Sequence, residues 1–223
     1  MKRLPPKEYD GVNCLEIKSQ NIQSLDLLRT SSQISYIPGD TIPLPLIVNI
    51  QIAMDAELAM IDHLLRMMMN SGADVKALIF VCSMNIKNNG IKINYPLSTA
   101  LLKYISNSEE VHFSWVKPSV RTMEEVAKHL GERKWGVKMK KISFYDCYLT
   151  DAKVLPILPH LVNIEEVSFQ GRSEITMETY KHLLKEIQGS NTIALTKLFV
   201  GGAADQLKTL FKDYPSIQIC NLP

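Results

Sequence analysis

Along residues 141–151, KISFYDCYLTD, apolar side chains fall at Ile142, Phe144, Cys147 and Leu149, at offsets of zero, two, five and seven. Alternation over the first pair predicts a strand with one buried face, and the second pair predicts a tight turn leading out of it. The same offsets recur at Val111, Phe113, Val116 and Pro118, and more loosely at Ala77, Ile79, Cys82 and Met84 and at Leu15, Ile17, Gln20 and Ile22. Val48, Ile50 and Ala53 match weakly, while Val167 with Phe169, Leu198 with Val200 and Ile217 with Ile219 begin the pattern without completing it.

In a chain that is 46% hydrophobic, four chosen offsets all match in roughly 4% of windows, so about ten matches arise by accident. Spacing therefore carries the argument. Starts at Leu15, Val48, Ala77, Val111, Ile142, Val167, Leu198 and Ile217 lie mostly about 30 residues apart and draw closer late in the chain, a repeat-like period. A charged residue precedes five successive starts, Lys76, Glu110, Lys141, Glu166 and Lys197, as expected of a solvent row beside a buried one.

Helical patterns fill the intervals. AELAMIDHLLRMMMNSG is amphipathic and methionine-rich, PLSTALLKYISNS opens on Pro96, and TMEEVAKHLGERKW begins with a Thr122 and Glu125 capping-box pair. DAKVLPILPHLVN predicts a short or irregular helix because Pro156 and Pro159 interrupt it, and TMETYKHLLKEIQGSN predicts another helix. Strands joined by crossovers of this length run parallel. The expectation is one α/β domain over residues 1–223, curved, with a parallel sheet on one face and helices on the other. Residues 30–45, TSSQISYIPGDTIPLP, carry turn signals and no helical period, so residues 1–45 are expected to form an irregular N-terminal portion acting as a cap.

The run ISFYDCYLTD, a strand followed by Cys147, a further apolar residue and a helix, resembles a leucine-rich repeat of the ribonuclease-inhibitor type; Ala77 to Met84 is a looser copy. Residues 175–200, ITMETYKHLLKEIQGSNTIALTKLFV, are similar to the repeats that follow the F-box in nematode F-box-associated proteins, although no F-box is seen in the sequence. The repeat resemblance covers most of residues 75–222 and implies a leucine-rich-repeat-like solenoid that binds a protein partner on its concave strand face. The unit at Val167 lacks the Cys or Asn, and the unit at Leu198 has Ala203 there.

Composition narrows the partners. A formal net charge of +2 is no global basic excess, so neither nucleic acid nor a membrane surface is a default partner. Four cysteines, at 14, 82, 147 and 220, are too scattered for a CxxC pair or a disulfide framework and read as reduced thiols. MKRLPPKEYDG lacks the apolar run of a signal peptide, and the apolar stretch Leu44 to Met60 contains Asp55 and Glu57, so no membrane-spanning segment is expected and the location is cytoplasmic or nuclear.

Catalytic and cofactor motifs are sparse. VGGAADQ at 200–206 has two glycines after a strand but neither the third glycine nor the lysine of a phosphate loop, so Gly201 and Gly202 read as a tight turn. His63, His112, His129, His160 and His182 never form HxH or HExxH, and no metal or cofactor is expected. Cys82 and Cys147 lack a basic neighbour in sequence that would lower a thiol pKa, so they read as fillers of the turn. Glu109 with Glu110, Glu124 with Glu125, and Glu165 with Glu166 fit solvated strand flanks and a helix's first turn better than an acid/base pair.

Two features keep binding in view. ERKWGVKMKK, 132–141, gathers Arg133, Lys134, Lys138, Lys140 and Lys141 with Trp135 and could meet phosphates, although a solvated helix end is the favoured account. Met54, Met60 and the adjacent Met67, Met68 and Met69 suit core packing, yet the adjacent three cannot all point inward. In the expected register Phe80, His112, Ser114, Trp115, Ser143, Tyr145, Asp146, Ser168, Gln170 and Phe199 face away from the core. From these, Phe80, His112, Trp115, Tyr145, Asp146, Gln170 and Phe199 form the expected partner-binding set, with Trp115 and Tyr145 as anchors or else as isolated surface aromatics. The expectation is a non-enzymatic protein-binding module, compatible with a homo-oligomer. The alternatives are an α/β enzyme with a site assembled from strand ends, and nucleic-acid binding through 132–141.

Overall fold

The computed structural model describes residues 13–18, 46–52, 62, 66, 75–82, 99–132, 139–202 and 204–221. The described strands are β1 (Asn13–Lys18), β2 (Leu46–Ile52), β3 (Val75–Cys82), β4 (Glu110–Ser114), β5 (Lys141–Tyr145), β6 (Leu149–Thr150), β7 (Glu166–Gln170), β8 (Ser173–Glu174), β9 (Lys197–Val200) and β10 (Gln218–Asn221). β6 and β8 pair with each other; the other eight form one sheet in chain order, with every pairing parallel. A mixed α/β fold with a parallel sheet follows, as strand–helix alternation predicts.

Pairing places Leu15, Val48, Leu78, Val111, Ile142, Val167, Leu198 and Ile219 in one row across the sheet. Two expected starts are corrected by this register. In β3 the core row begins at Leu78, not Ala77, because KALIFVC is apolar at both parities and alternation has nothing to choose between. Ala77 and Ile79 are also buried, but they align with Glu110 and His112 on the other face. Near the C-terminus Ile217 is buried in the turn before β10, its N–H donating to the Tyr214 carbonyl, and Ile219 is the residue in register.

Two positions further along each strand, Phe80, Phe113, Phe144 and Phe169 stack in a column with centroid separations of 5.2, 5.0 and 5.7 Å and nearly parallel rings. All four are buried. Phe80 therefore belongs to the core and is removed from the expected binding face, for the same one-residue register reason. Identical rings fit at successive strands because parallel in-register pairing sets them about 4.8 Å apart, close to ring-stacking distance.

Helices cover the phenylalanine side. A 3-10 helix (Thr99–Asn107) packs on α1 (Val120–Gly131); α1 packs on the segment comprising α2 (Asp151–Val154), a 3-10 turn (Leu155–Ile157) and α3 (Leu158–Leu161). Next come α4 (Met177–Gly189) and α5 (Ala204–Leu210). Leu101, Ile105, Val126, Leu130, Val154, Leu161, Leu183 and Leu207 from these helices join one hydrophobic cluster with Leu78, Val111, Ile142, Val167, Leu198 and the phenylalanine column. Pro156 and Pro159 each stand in the opening turn of a short segment, where a missing N–H costs nothing.

The start of α1 corrects a second expectation. Its N-cap is Ser119, whose Oγ accepts from the Thr122 N–H at 3.0 Å, while Thr122 lies buried in the first turn. Ser119 holds the extended backbone of a cap residue (φ −81°, ψ 168°), so the helix begins three residues earlier than the Thr122 box suggests. Residues 30–45, Met54, Met60 and Met67 to Met69 lie outside the described residues. No described helix is long and apolar enough to cross a membrane.

Candidate functional site

β4, β5, β7 and β9 each leave the main sheet through a left-handed residue at one shared place: Trp115 (φ 56°), Asp146 (φ 51°), Gly171 (φ 71°) and Gly202 (φ 83°). Tyr148 adds a further left-handed residue at φ 47°. Glycine adopts this conformation freely, whereas a side chain there costs about 1–3 kcal/mol and persists only where its surroundings enforce it. Here the enforcement is a ladder: Trp115 N–H donates to the Tyr145 carbonyl at 2.9 Å, Asp146 N–H to Gln170 at 3.0 Å, and Tyr148 N–H to Arg172 at 2.9 Å.

Asp146 is the hub of this edge. Its Oδ2 accepts from Trp115 Nε1 at 3.1 Å and its Oδ1 from the Arg172 N–H at 2.8 Å. A Cβ on Gly171 would collide with the Asp146 carboxylate, so that glycine is required both for its φ and for its lack of a side chain. Trp115 and Tyr145 lie with centroids 6.2 Å apart, tilted by 42°. Trp115 packs partly against the core, whereas Tyr145 is 37% exposed.

Further into the sheet, His112 Nδ1 lies 2.5 Å from Ser143 Oγ, and its Nε2 lies 3.3 Å from Glu110 Oε2. A serine, a histidine and a carboxylate in series match the order of a nucleophilic relay. Ser143, however, is buried and mid-strand, paired with both His112 and Ser168, so its amide serves the sheet ladder and not an oxyanion hole. The series acts as a cross-strand hydrogen-bond chain. Ser114 and Ser168 are buried beside it, and Gln170 Nε2 donates to Ser168 Oγ at 2.6 Å.

The flanking row is charged with alternating sign. Glu166 receives Lys197 at 2.6 Å and Lys141 at 3.3 Å, and the Lys141 ammonium also lies 5.8 Å from the Phe199 ring centroid. Burial pushes the Glu166 carboxyl up, but the two ammoniums together outweigh it and hold the group below the usual carboxylate range. Ala77, not Lys76, is in register with this row.

Several expected features are placed elsewhere. Cys147 is buried, its Sγ 3.3 Å from the Phe113 carbonyl, and burial pushes its thiol up to about 12, as suits a filler of the turn. Lys140 and Lys141 of the basic run are engaged by Glu109 and Glu166, while residues 133–138 lie outside the described residues. Gly202 N–H donates to Oδ1 of Asn221, at the end of β10, at 3.4 Å. Among the described residues no three His, Cys, Asp or Glu side chains converge as metal ligands.

Of the expected binding set, Trp115, Tyr145 and Asp146 come together at the strand exits, with Gln170 joined to them through its carbonyl. His112 and Phe199 lie on the same strand face, and Phe80 lies in the core. Lys117, Tyr148, Lys153 and Arg172 are marked by no spacing in the expected set, yet they gather at this edge. Gly171 and Gly202 were the available signal: they recur at one offset from the strand starts, and the same offset in the two preceding units lands on Asp146 and Trp115. No protein-family model matches the chain, and no curated protein is significantly similar to it.

Proposed function

We propose that the chain is a non-enzymatic protein-interaction module, a curved leucine-rich-repeat-like α/β solenoid whose partner docks on the strand face and its exit edge. The observation that carries this reading is the Trp115 and Tyr145 pair, one ring anchored in the core and the other 37% exposed, held by left-handed backbone and by Asp146. Rings fixed before binding supply contact area at little entropic cost, which is what an interface anchor needs. The chain-order parallel sheet with helices packed in sequence supports the repeat reading. A cytoplasmic or nuclear location accords with the unpaired Cys147 and Cys220.

The test is affinity capture from the native cell extract, comparing the unaltered chain with a Trp115→Ala, Tyr145→Ala double variant. Loss of a specific partner from the variant while its circular dichroism spectrum stays that of the folded chain supports the reading. Equal capture by both overturns it. Small-angle X-ray scattering of the chain tests the curvature separately, since a flat slab and an arc of the same mass scatter differently.

A further inference from the structure

Three cations gather around one residue at the exit edge. The Lys117 ammonium lies 6.0 Å and the Arg172 guanidinium 5.6 Å from the Tyr148 ring centroid, and Lys153 Nζ donates to the Tyr148 carbonyl at 2.7 Å. Arg172 Nη1 donates to Tyr148 Oη, which fixes the plane of the guanidinium fork. Among the described residues none of these three cations forms a salt bridge. Other charged rows on this sheet are neutralised in place, as Lys141 and Lys197 are by Glu166.

The nearest acids act on the cluster through space, without a direct ion pair among the described residues. Asp146, whose oxygens accept from the Trp115 indole and the Arg172 backbone N–H, attracts the Arg172 guanidinium, and Glu174 attracts the Lys153 ammonium. Burial, and then the neighbouring Lys117 charge, hold the Lys153 ammonium below its ordinary range against the opposing pull of Glu174.

We propose that Lys117, Lys153 and Arg172, arranged around Tyr148, bind a phosphate group carried on the protein partner. This rests on the protein-binding reading above and specifies the chemistry of the partner's docking segment. Three cations arranged about one residue match a compact dianion, whereas a run of carboxylates would call for charges strung along a row. Arginine's fork suits phosphate bidentately, and two mobile ammoniums complete the shell. Trp115 and Tyr145 lie at the same strand exits through Asp146, so a bound segment could present a phosphate and an apolar side chain together.

Phosphate binding is read on the purified full chain by NMR, so it does not depend on partner capture. Inorganic phosphate added at constant ionic strength should move the Tyr148 and Arg172 amide resonances saturably, while chloride should not. A neutral peptide bearing one phosphoserine should bind more tightly than its unphosphorylated form, and Lys117→Ala or Arg172→Ala should weaken it about tenfold. Both residues are exposed, so the folded spectrum should otherwise persist. The proposal is overturned by an absent phosphate response, by equal binding of both peptides, by a response that survives both substitutions, or by tighter binding of single-stranded oligothymidylate than of the phosphopeptide. If phosphopeptide binding holds while the Trp115 and Tyr145 variant captures partners normally, the phosphate site stands and the aromatic anchor falls.

Discussion

Trp115 and Asp146 occupy the same place on adjacent strands, both with left-handed backbone, and the indole Nε1 of one donates to a carboxylate oxygen of the other at 3.1 Å. The bond ties two strained turns into one unit, and the next turn is joined to it through the Arg172 N–H. Strain at a single turn would favour relaxation, whereas strain shared along a hydrogen-bonded edge holds the side chains in a defined array.

Gly171→Ala tests that unit. The new Cβ meets the Asp146 carboxylate and the residue must keep φ near +71°, so stability should fall by about 1–3 kcal/mol in urea unfolding. Tryptophan fluorescence should shift as well, because a displaced carboxylate releases the Trp115 indole. Gly202→Ala, where a Cβ meets no atom within 4 Å, should carry the backbone strain alone and leave the fluorescence unchanged.

The phenylalanine column gives a second prediction. Phe144 stacks on Phe113 and Phe169 and is buried, so Phe144→Ala should cost about 3–5 kcal/mol, with Phe144→Leu costing less because it refills much of the cavity. Phe80→Ala should be comparably costly, whereas removal of a partner-facing ring would leave the melting temperature nearly unchanged.

Acid should weaken the charged row. The Glu166 carboxyl is held below its ordinary value of 4.5 in the folded chain, so its contribution is complete above that pH and is lost as pH falls through the lower folded-state value. Unfolding free energies of the unaltered chain and of Glu166→Gln should therefore differ by about 1 kcal/mol at pH 7 and converge below pH 4. A constant difference across that window would count against the Lys141 and Lys197 pairing as its source.

Thiol reactivity separates the two described free cysteines. Burial pushes Cys147 up to about 12, so at pH 8 in the native state it should resist iodoacetamide, while the half-buried Cys220 should alkylate. Mass spectrometry of the labelled peptides checks this directly, and rapid native labelling of Cys147 would contradict its placement.

How far the chain could be read from its residues varied along its length. The strands at Val111, Ile142, Val167 and Leu198 were legible with their register, because each is short and preceded by a charge and the first three alternate apolar with polar. β3 was not, because Lys76 to Cys82 offers an apolar residue at nearly every position, and only pairing with β4 selects Phe80 over Ile79 for the core. The α1 cap was misplaced because Ser119 and Thr122 are both competent caps, and the chain's exit from β4 decides which is used.

At the candidate site the division is similar. Alternation set Tyr145 apart from the core, and the place just after the apolar strand positions singled out Trp115 and Asp146. Their joining was decided by the tertiary structure, since hydrogen bonds between residues about 30 positions apart form only once the strands lie side by side. Lys117, Lys153 and Arg172 come from three separate connections, and no local pattern encodes their meeting at Tyr148. Local sequence determined the period, the strands and the faces, because those depend on neighbouring side chains and backbone geometry. The register of ambiguous strands, the left-handed exits and the cation cluster were decided by long-range packing, where each choice is selected by what the adjoining strand presents.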